Sequence, residues 1–268
     1  MSRFILNRPD PGLLYAEYDN PPVNLLDDDT VAELDELVSI LEQDAHLRVV
    51  VIRSANPHFF MARYDVGSAA AGDPLARLHR FADITDRLAR APVISIATIR
   101  GRARGGGNEV ALACDLRYGS LENTILAQPE VPLGLIPAGG GIERLGRLIG
   151  RSRALEVIAS GNDYDGPTAE RYGWVNRALP DDELDRFVDQ LAHRLARFDR
   201  VALATTKHQL NRHTLVPAHE IAETVRALPA VIADADPDRR EAIRERAAAD
   251  PLAFELDLGP LIGGPFND

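Results

Sequence analysis

Between Leu13 and Ser120 the chain alternates short apolar runs with segments of helical period, and this alternation restricts its fold more than any other feature. Leu13 to Tyr18 reads as a strand, closed by Asn20-Pro21-Pro22. A helix capped by Asp29 or Thr30 runs to about Gln43, with Val31, Leu34, Leu37, Val38 and Leu41 on one face. Arg48 to Ser54 contains Val-Val-Val-Ile, the character of a buried strand, and Asn56-Pro57 turns the chain. Pro74 opens a helix reaching about Arg90, and Pro92 to Thr98 returns as a strand. Gly105 to Gly107 lead into a short helix through Ala113, and Leu116 to Ser120 is again a strand. Strands alternating with helices predict an α/β core whose strands are largely parallel.

After Gly141 the pattern changes. Ile142 to Ile149, Ser152 to Ala159, Pro167 to Tyr172, Asp182 to Phe198, Val201 to Arg212 and Pro217 to Asp234 all favour helix, with later breaks at Pro237 and Pro251. The expected organisation is an α/β core over residues 1–200 and a helical C-terminal region over 201–268. That region packs over the core or against a neighbouring subunit.

The chain has 268 residues, enough for a large core in one domain or in one domain with a small appendage. It contains no long apolar run, so no membrane-spanning helix is expected, and Met1 to Pro9 lacks the apolar stretch of a signal peptide. Cys114 is the only cysteine, which rules out an internal disulfide. The expected location is cytoplasmic. The net charge of −11 repels nucleic acid, because the basic residues are mostly interleaved with acids. Arg100, Arg102 and Arg104 are the exception; they read either as solvated loop charge or as a patch that meets an anionic ligand.

Gly105-Gly106-Gly107 permits positive φ and close approach of backbone to a ligand. The free N–H groups of the helix start that follows favour negative charge, so the turn is either an oxyanion site or a tight turn before a buried helix. Gly101 to Gly106 has P-loop spacing but no Lys-Ser/Thr follows, and no dinucleotide-binding fingerprint is complete. Glu109 lies in the first turns of that helix among Ala111, Leu112 and Ala113. Burial there raises its pKa into the range useful for proton transfer, whereas exposure leaves an ordinary first-turn glutamate. Glu130 sits between Pro129 and Val131-Pro132, in a loop stiffened by two prolines. A carboxylate pair beside exposed N–H groups is what acid–base chemistry next to a carbonyl needs. No histidine shows metal-ligand spacing, Cys114 reads as core, and Lys207, His208 and His213 read as solvated helix residues. Tyr172 and Trp174 are expected to pack at the junction with the helical region.

Taken in order, these segments resemble the crotonase, or enoyl-CoA hydratase/isomerase, superfamily. The likeness runs from about Leu13 to about Leu210 and begins at Asn20-Pro21-Pro22-Val23-Asn24-Leu25. It continues through Ala91 to Ile94, Gly101 to Glu109 and Ala113 to Arg117. Its most specific stretch is Ala127 to Pro137, followed by Gly139-Gly140-Gly141 and Arg144-Leu145. The resemblance implies the ClpP/crotonase fold, a core of repeated ββα units with a helical C-terminal region. It implies an enoyl-CoA hydratase-like lyase acting on an acyl-CoA or similar thioester, in fatty acid metabolism, with no metal or other cofactor. A homotrimer, or a homohexamer built as a dimer of trimers, is the expected assembly; no nucleic acid or membrane partner is.

Family members hold the thioester carbonyl between two backbone N–H groups, which map here to Tyr64 and Gly106. The acid–base glutamates map to Glu109 and Glu130, and Ala62, Asp65, Gly105, Pro129 and Gly134 to substrate binding. Having both glutamates favours hydration over isomerisation. Isomerisation, decarboxylation or C–C hydrolysis through the same enolate, and a non-catalytic acyl-CoA-binding or scaffolding role, are the alternatives. Three features depart from the family. Met61-Ala62-Arg63-Tyr64 brings bulk before Asp65, where Arg63 and Tyr64 either narrow the pocket or face solvent. Arg104 replaces an apolar approach to the glycines and is a candidate partner for a substrate carboxylate. Beyond about Arg212 the chain loses the family pattern, so CoA as carrier is inherited from the fold resemblance alone.

Overall fold

From Val49 to Ala127 the strands alternate between two sheets, and the candidate residues lie on one linking helix and in the segments that follow the short strands. The computed structural model describes residues 2–65 and 73–263. A six-stranded sheet contains β1 (Phe4–Asp10), β2 (Leu13–Tyr18), β3 (Val49–Ser54), β5 (Ile94–Ile99), β7 (Leu116–Ser120) and β10 (Arg177–Leu179), in that spatial order. Only β1 and β2 pair antiparallel; every later pair is parallel. A four-stranded sheet contains β4 (Phe59–Met61), β6 (Arg102–Arg104), β8 (Ile125–Ala127) and β9 (Tyr164–Asp165), with β9 antiparallel. Strands β3, β5 and β7 are each followed by a short strand in the other sheet and then a helix. This gives β3–β4–α2 (Pro74–Arg90), β5–β6–α3 (Gly106–Ala113) and β7–β8–α4 (Gly141–Ile149). The repeated ββα core is thus present, with largely parallel strands.

Period two explains the main sheet. Leu14, Ala16, Val50 and Ile52 face the core cluster that includes Val31, Leu34, Leu37, Val38 and Leu41 of α1 (Asp28–Gln43). Leu13, Tyr15, Val49 and Val51 face the opposite cluster with Leu184, Val188 and Ala192 of α7 (Asp181–Leu195). Both faces are covered, as parallel sheets require. Helices α5 (Arg151–Ser160) and α6 (Gly166–Tyr172) precede β10. After α7 come α8 (Arg200–Thr214), α9 (Ala218–Asp234), α10 (Pro237–Ala249) and α11 (Pro251–Gly263). Pro237 and Pro251 therefore open helices as first-turn residues, where a missing N–H costs nothing. Residues 264–268 of the expected helical region lie outside the described residues.

Several local expectations are corrected. Helix α1 is capped by Asp27, whose carboxylate accepts from the Thr30 N–H at 2.8 Å and the Thr30 hydroxyl at 2.7 Å. Strand β1 has no sequence signature because only Phe4 is buried along it. Arg102 to Arg104 is a strand rather than loop charge. Arg104 is 1% exposed; its guanidinium pairs with Asp163 at 2.6–2.8 Å and donates to the Glu255 carbonyl. Arg100 pairs with Asp181 at 2.8 Å. Lys207 is buried rather than solvated, donating to the Asp115 carboxylate and the Val93 carbonyl, each at 2.8 Å. His208 and His213 are exposed and Cys114 is buried, as expected.

Candidate active site

The glycine turn brings backbone against backbone. Gly105 adopts φ +48°, and α3 begins at Gly106. A Cβ on Gly107 would stand 2.0 Å from the Met61 carbonyl oxygen, so only glycine lets α3 lie against β4. A Cβ on Gly106 would stand 2.9 Å from the Tyr64 nitrogen, which makes the two backbones immediate neighbours. Tyr64 forms a parallel bridge with Leu26. In that bridge Leu26 N–H donates to Arg63 and Asp65 N–H to Leu26, leaving the Tyr64 N–H outside the ladder. The Gly106 N–H lies in the first turn of α3, where the helix itself supplies no acceptor.

All eight residues of α3 are buried, Glu109 among them at 3% exposure. One Glu109 oxygen accepts from Gly139 N–H at 2.7 Å and Gly141 N–H at 2.9 Å. Removal from water pushes the Glu109 carboxyl up to about 7, against the two glycine N–H groups and the nearby Arg144 guanidinium. Arg144 is buried and donates to the Gly139 carbonyl at 2.7 Å, which fixes the turn that holds Glu109.

Glu130 opens the 3₁₀ turn Val131–Leu133, and its carbonyl accepts from Leu133 and Leu135 N–H, both at 2.9 Å. Its carboxylate meets Gln128 Nε2 at 3.3–3.4 Å. Desolvation, then repulsion from Glu109, pushes its carboxyl well above the ordinary carboxylate range. The two loops are tied by Gly105 N–H donating to the Ala127 carbonyl at 3.1 Å.

Glu109 and Glu130 line one cavity of about 170 Å³, together with Arg63, Tyr64, Gly105, Gly106, Pro129 and Gly139. The rest of its wall is mostly apolar: Leu78 and Phe81 of α2, Leu133, Leu135, Ile136, and Leu228 and Ile232 of α9. The helical region thus covers the site with residues that carry no catalytic signature in the sequence. Ala62 lies behind the wall in a small core with Val23 and Phe59. Asp65 borders an adjoining cavity of about 620 Å³, which shares Arg63, Leu133, Leu135 and Ile232 with the first. Gly134 ends the 3₁₀ turn at φ +71°, outside the lining.

Both residues whose orientation the sequence left open face the cavity, and Arg63 is also paired with Glu255 of α11 at 2.7 Å. Arg104, the candidate for a substrate carboxylate, is instead engaged within the protein by Asp163 and Glu255. Gln128, Gly139 and Gly141 were legible only as part of a motif; nothing local marks them as partners of the glutamates. Among the described residues, no group of three or more His, Cys, Asp or Glu side chains converges as metal ligands would. Nor, among them, is any helix long and apolar enough to cross a membrane.

Comparison with known proteins gives the same frame. The family model for enoyl-CoA hydratase/isomerase matches residues 10–236. The chain is 31% identical over 196 residues to a probable mitochondrial enoyl-CoA hydratase of Dictyostelium discoideum, covering 70% of this chain and 68% of that one. It is likewise 31% identical to the short-chain-enoyl-CoA hydratase of Clostridium acetobutylicum, covering 71% and 74%. A crystal structure of a candidate enoyl-CoA hydratase from Streptomyces avermitilis superposes with a TM-score of 0.86 at 37% identity, over 98% of this chain and 97% of that one.

Proposed function

The chain belongs to the enoyl-CoA hydratase/isomerase family of enzymes, and on that premise we propose that it adds water to a 2-enoyl-CoA or related acyl thioester. The product is the 3-hydroxyacyl thioester. The observation that carries the reading is the meeting of Glu109, Glu130 and the adjacent Tyr64 and Gly106 backbones at one mostly apolar cavity.

In this mechanism the thioester oxygen lies between the Tyr64 and Gly106 N–H groups. One carboxylate takes a proton from water as its oxygen bonds to the β-carbon. The π electrons move onto the thioester oxygen, and a carboxyl group delivers its proton to the α-carbon. The pair begins and ends with one shared proton, so the glutamates titrate as a pair. Raised carboxyl pKa values keep that proton available near neutrality. Each preorganised N–H is worth about 3 kcal/mol to an enolate oxyanion. The apolar wall from α2 and α9 receives the acyl chain. A homo-oligomer of three or six copies is part of the same proposal, measured by sedimentation.

The test is turnover of crotonyl-CoA, followed by loss of enoyl absorbance, with CoA-binding calorimetry on the same samples. Glu109→Gln and Glu130→Gln are each expected to lower kcat by about 10²-fold or more while CoA still binds. CoA binding without turnover in the wild type would reject hydration of this substrate. Net double-bond migration or chain cleavage in a panel of thioesters would reassign the reaction within the family.

A further inference from the structure

A line of buried hydrogen bonds runs from the far side of α3 to Glu130. The Trp174 indole N–H donates to Asn108 Oδ1 at 3.0 Å. Asn108 Nδ2 donates to Gln128 Oε1 at 2.5 Å. Gln128 Nε2 reaches both Glu130 oxygens at 3.3–3.4 Å. Trp174, Asn108 and Gln128 are all fully buried, so water cannot substitute for a missing partner.

An indole nitrogen is a donor only, whereas each amide has one donor end and one acceptor end. Trp174 therefore forces Asn108 to turn its oxygen toward the ring and its nitrogen toward Gln128. Gln128 must then turn its oxygen toward Asn108 and its nitrogen toward Glu130. Flipping either amide would set donor against donor or acceptor against acceptor in a dry interior. The backbone that carries the ring is anchored: the Trp174 carbonyl accepts from Arg117 Nε at 2.9 Å, and the Trp174 main-chain N–H donates to the Ala169 carbonyl at 2.8 Å.

We propose that Trp174 is a positioning residue for Glu130, acting through Asn108 and Gln128 to present an N–H rather than a carbonyl oxygen to its carboxylate. An N–H at that point favours the ionised form, and a carbonyl oxygen would favour the protonated form. The line opposes the repulsion from Glu109 and so sets where the shared proton leaves the pair. This role rests on the reading of Glu130 as an acid–base residue.

Trp174 is the only tryptophan in the chain, so its indole N–H gives a single resonance in a proton–nitrogen correlation spectrum. Titration of the labelled protein from about pH 5 to about pH 9 is expected to move that resonance sigmoidally as Glu130 ionises. Gln128→Met keeps the bulk, removes the amide, and should abolish the movement. In kinetics, Trp174→Phe is expected to lower kcat about 10-fold, leave KM within about 2-fold, and shift the acid limb of the pH profile upward. In a Gln128→Met background, Trp174→Phe should do nothing further, because the line is already cut. A resonance that does not titrate, a titration that survives Gln128→Met, or additive kinetic effects would overturn the proposal. The spectra need no turnover and no Trp174 variant. They therefore judge the line even if crotonyl-CoA is not a substrate or Trp174→Phe fails to fold.

Discussion

Glu109→Gln should stabilise the fold, and only above the acid range. The side chain is 3% exposed, and burial displaces its carboxyl from 4.5 to about 7. Between those values the folded chain holds a proton that the unfolded chain has released. Stability then falls as pH rises, by about 1.4 kcal/mol per pH unit for one such group. It is fully present below the unfolded value and lost by the time pH has risen through the folded one. The loss reaches about 3 kcal/mol by pH 8. Glutamine never ionises, yet its Oε1 still accepts the N–H groups of Gly139 and Gly141. Removing the charge also relieves Glu130, which works in the same direction. Urea unfolding of wild type and variant at fixed protein concentration measures the gap at about pH 5 and about pH 8. The variant should gain about 2–3 kcal/mol relative to wild type between the two, while its turnover collapses. A gap that does not depend on pH, or a variant less stable at about pH 8 than at about pH 5 relative to wild type, would refute the assignment of Glu109 as a buried carboxyl held against ionisation.

Gly107→Ala should cost about 3 kcal/mol or more, since its Cβ would fall 2.0 Å from the Met61 carbonyl oxygen; thermal unfolding reads it, and an unchanged melting temperature would contradict the packing of α3 on β4. Lys207→Met removes one partner of a buried pair with Asp115 and should destabilise by about 3 kcal/mol in urea while leaving the pKa values that govern the pH–rate profile unmoved. Lys207 is the chain's only lysine, so side-chain amine labelling, read by mass spectrometry, should appear only as the protein unfolds. Leu228→Ala opens the α9 wall of the cavity and should shift kcat/KM toward longer acyl chains, about tenfold per methylene newly accommodated. An unchanged chain-length preference would remove α9 from the acyl site.

The long strands and the helices were legible because their signals are local. Leu13–Tyr18 and Pro74–Arg90 fall where period and proline placed them. The glycine turn and both glutamates stood out as a constellation, since residue type and order carry that information. The short strands of the second sheet were not legible: three residues such as Arg102–Arg104 are too few to establish a period. Asp27 was passed over as a cap because Asp29 and Thr30 offer equivalent chemistry two and three residues later.

The sequence alone determined the α/β architecture and singled out the candidate acid–base pair; the ββα units entered only through the family resemblance, because their short strands carry no period. Tertiary structure alone decided which charges lie in the dark. Arg104 meets Asp163 across 59 residues and Lys207 meets Asp115 across 92, so neither pairing leaves a local trace. It also decided that Glu109 holds its proton near neutrality, because the water it loses outweighs the Gly139 and Gly141 N–H groups it gains. Backbone preference is a property of neighbours in the chain, whereas the cost of a buried charge depends on whatever the fold brings beside it.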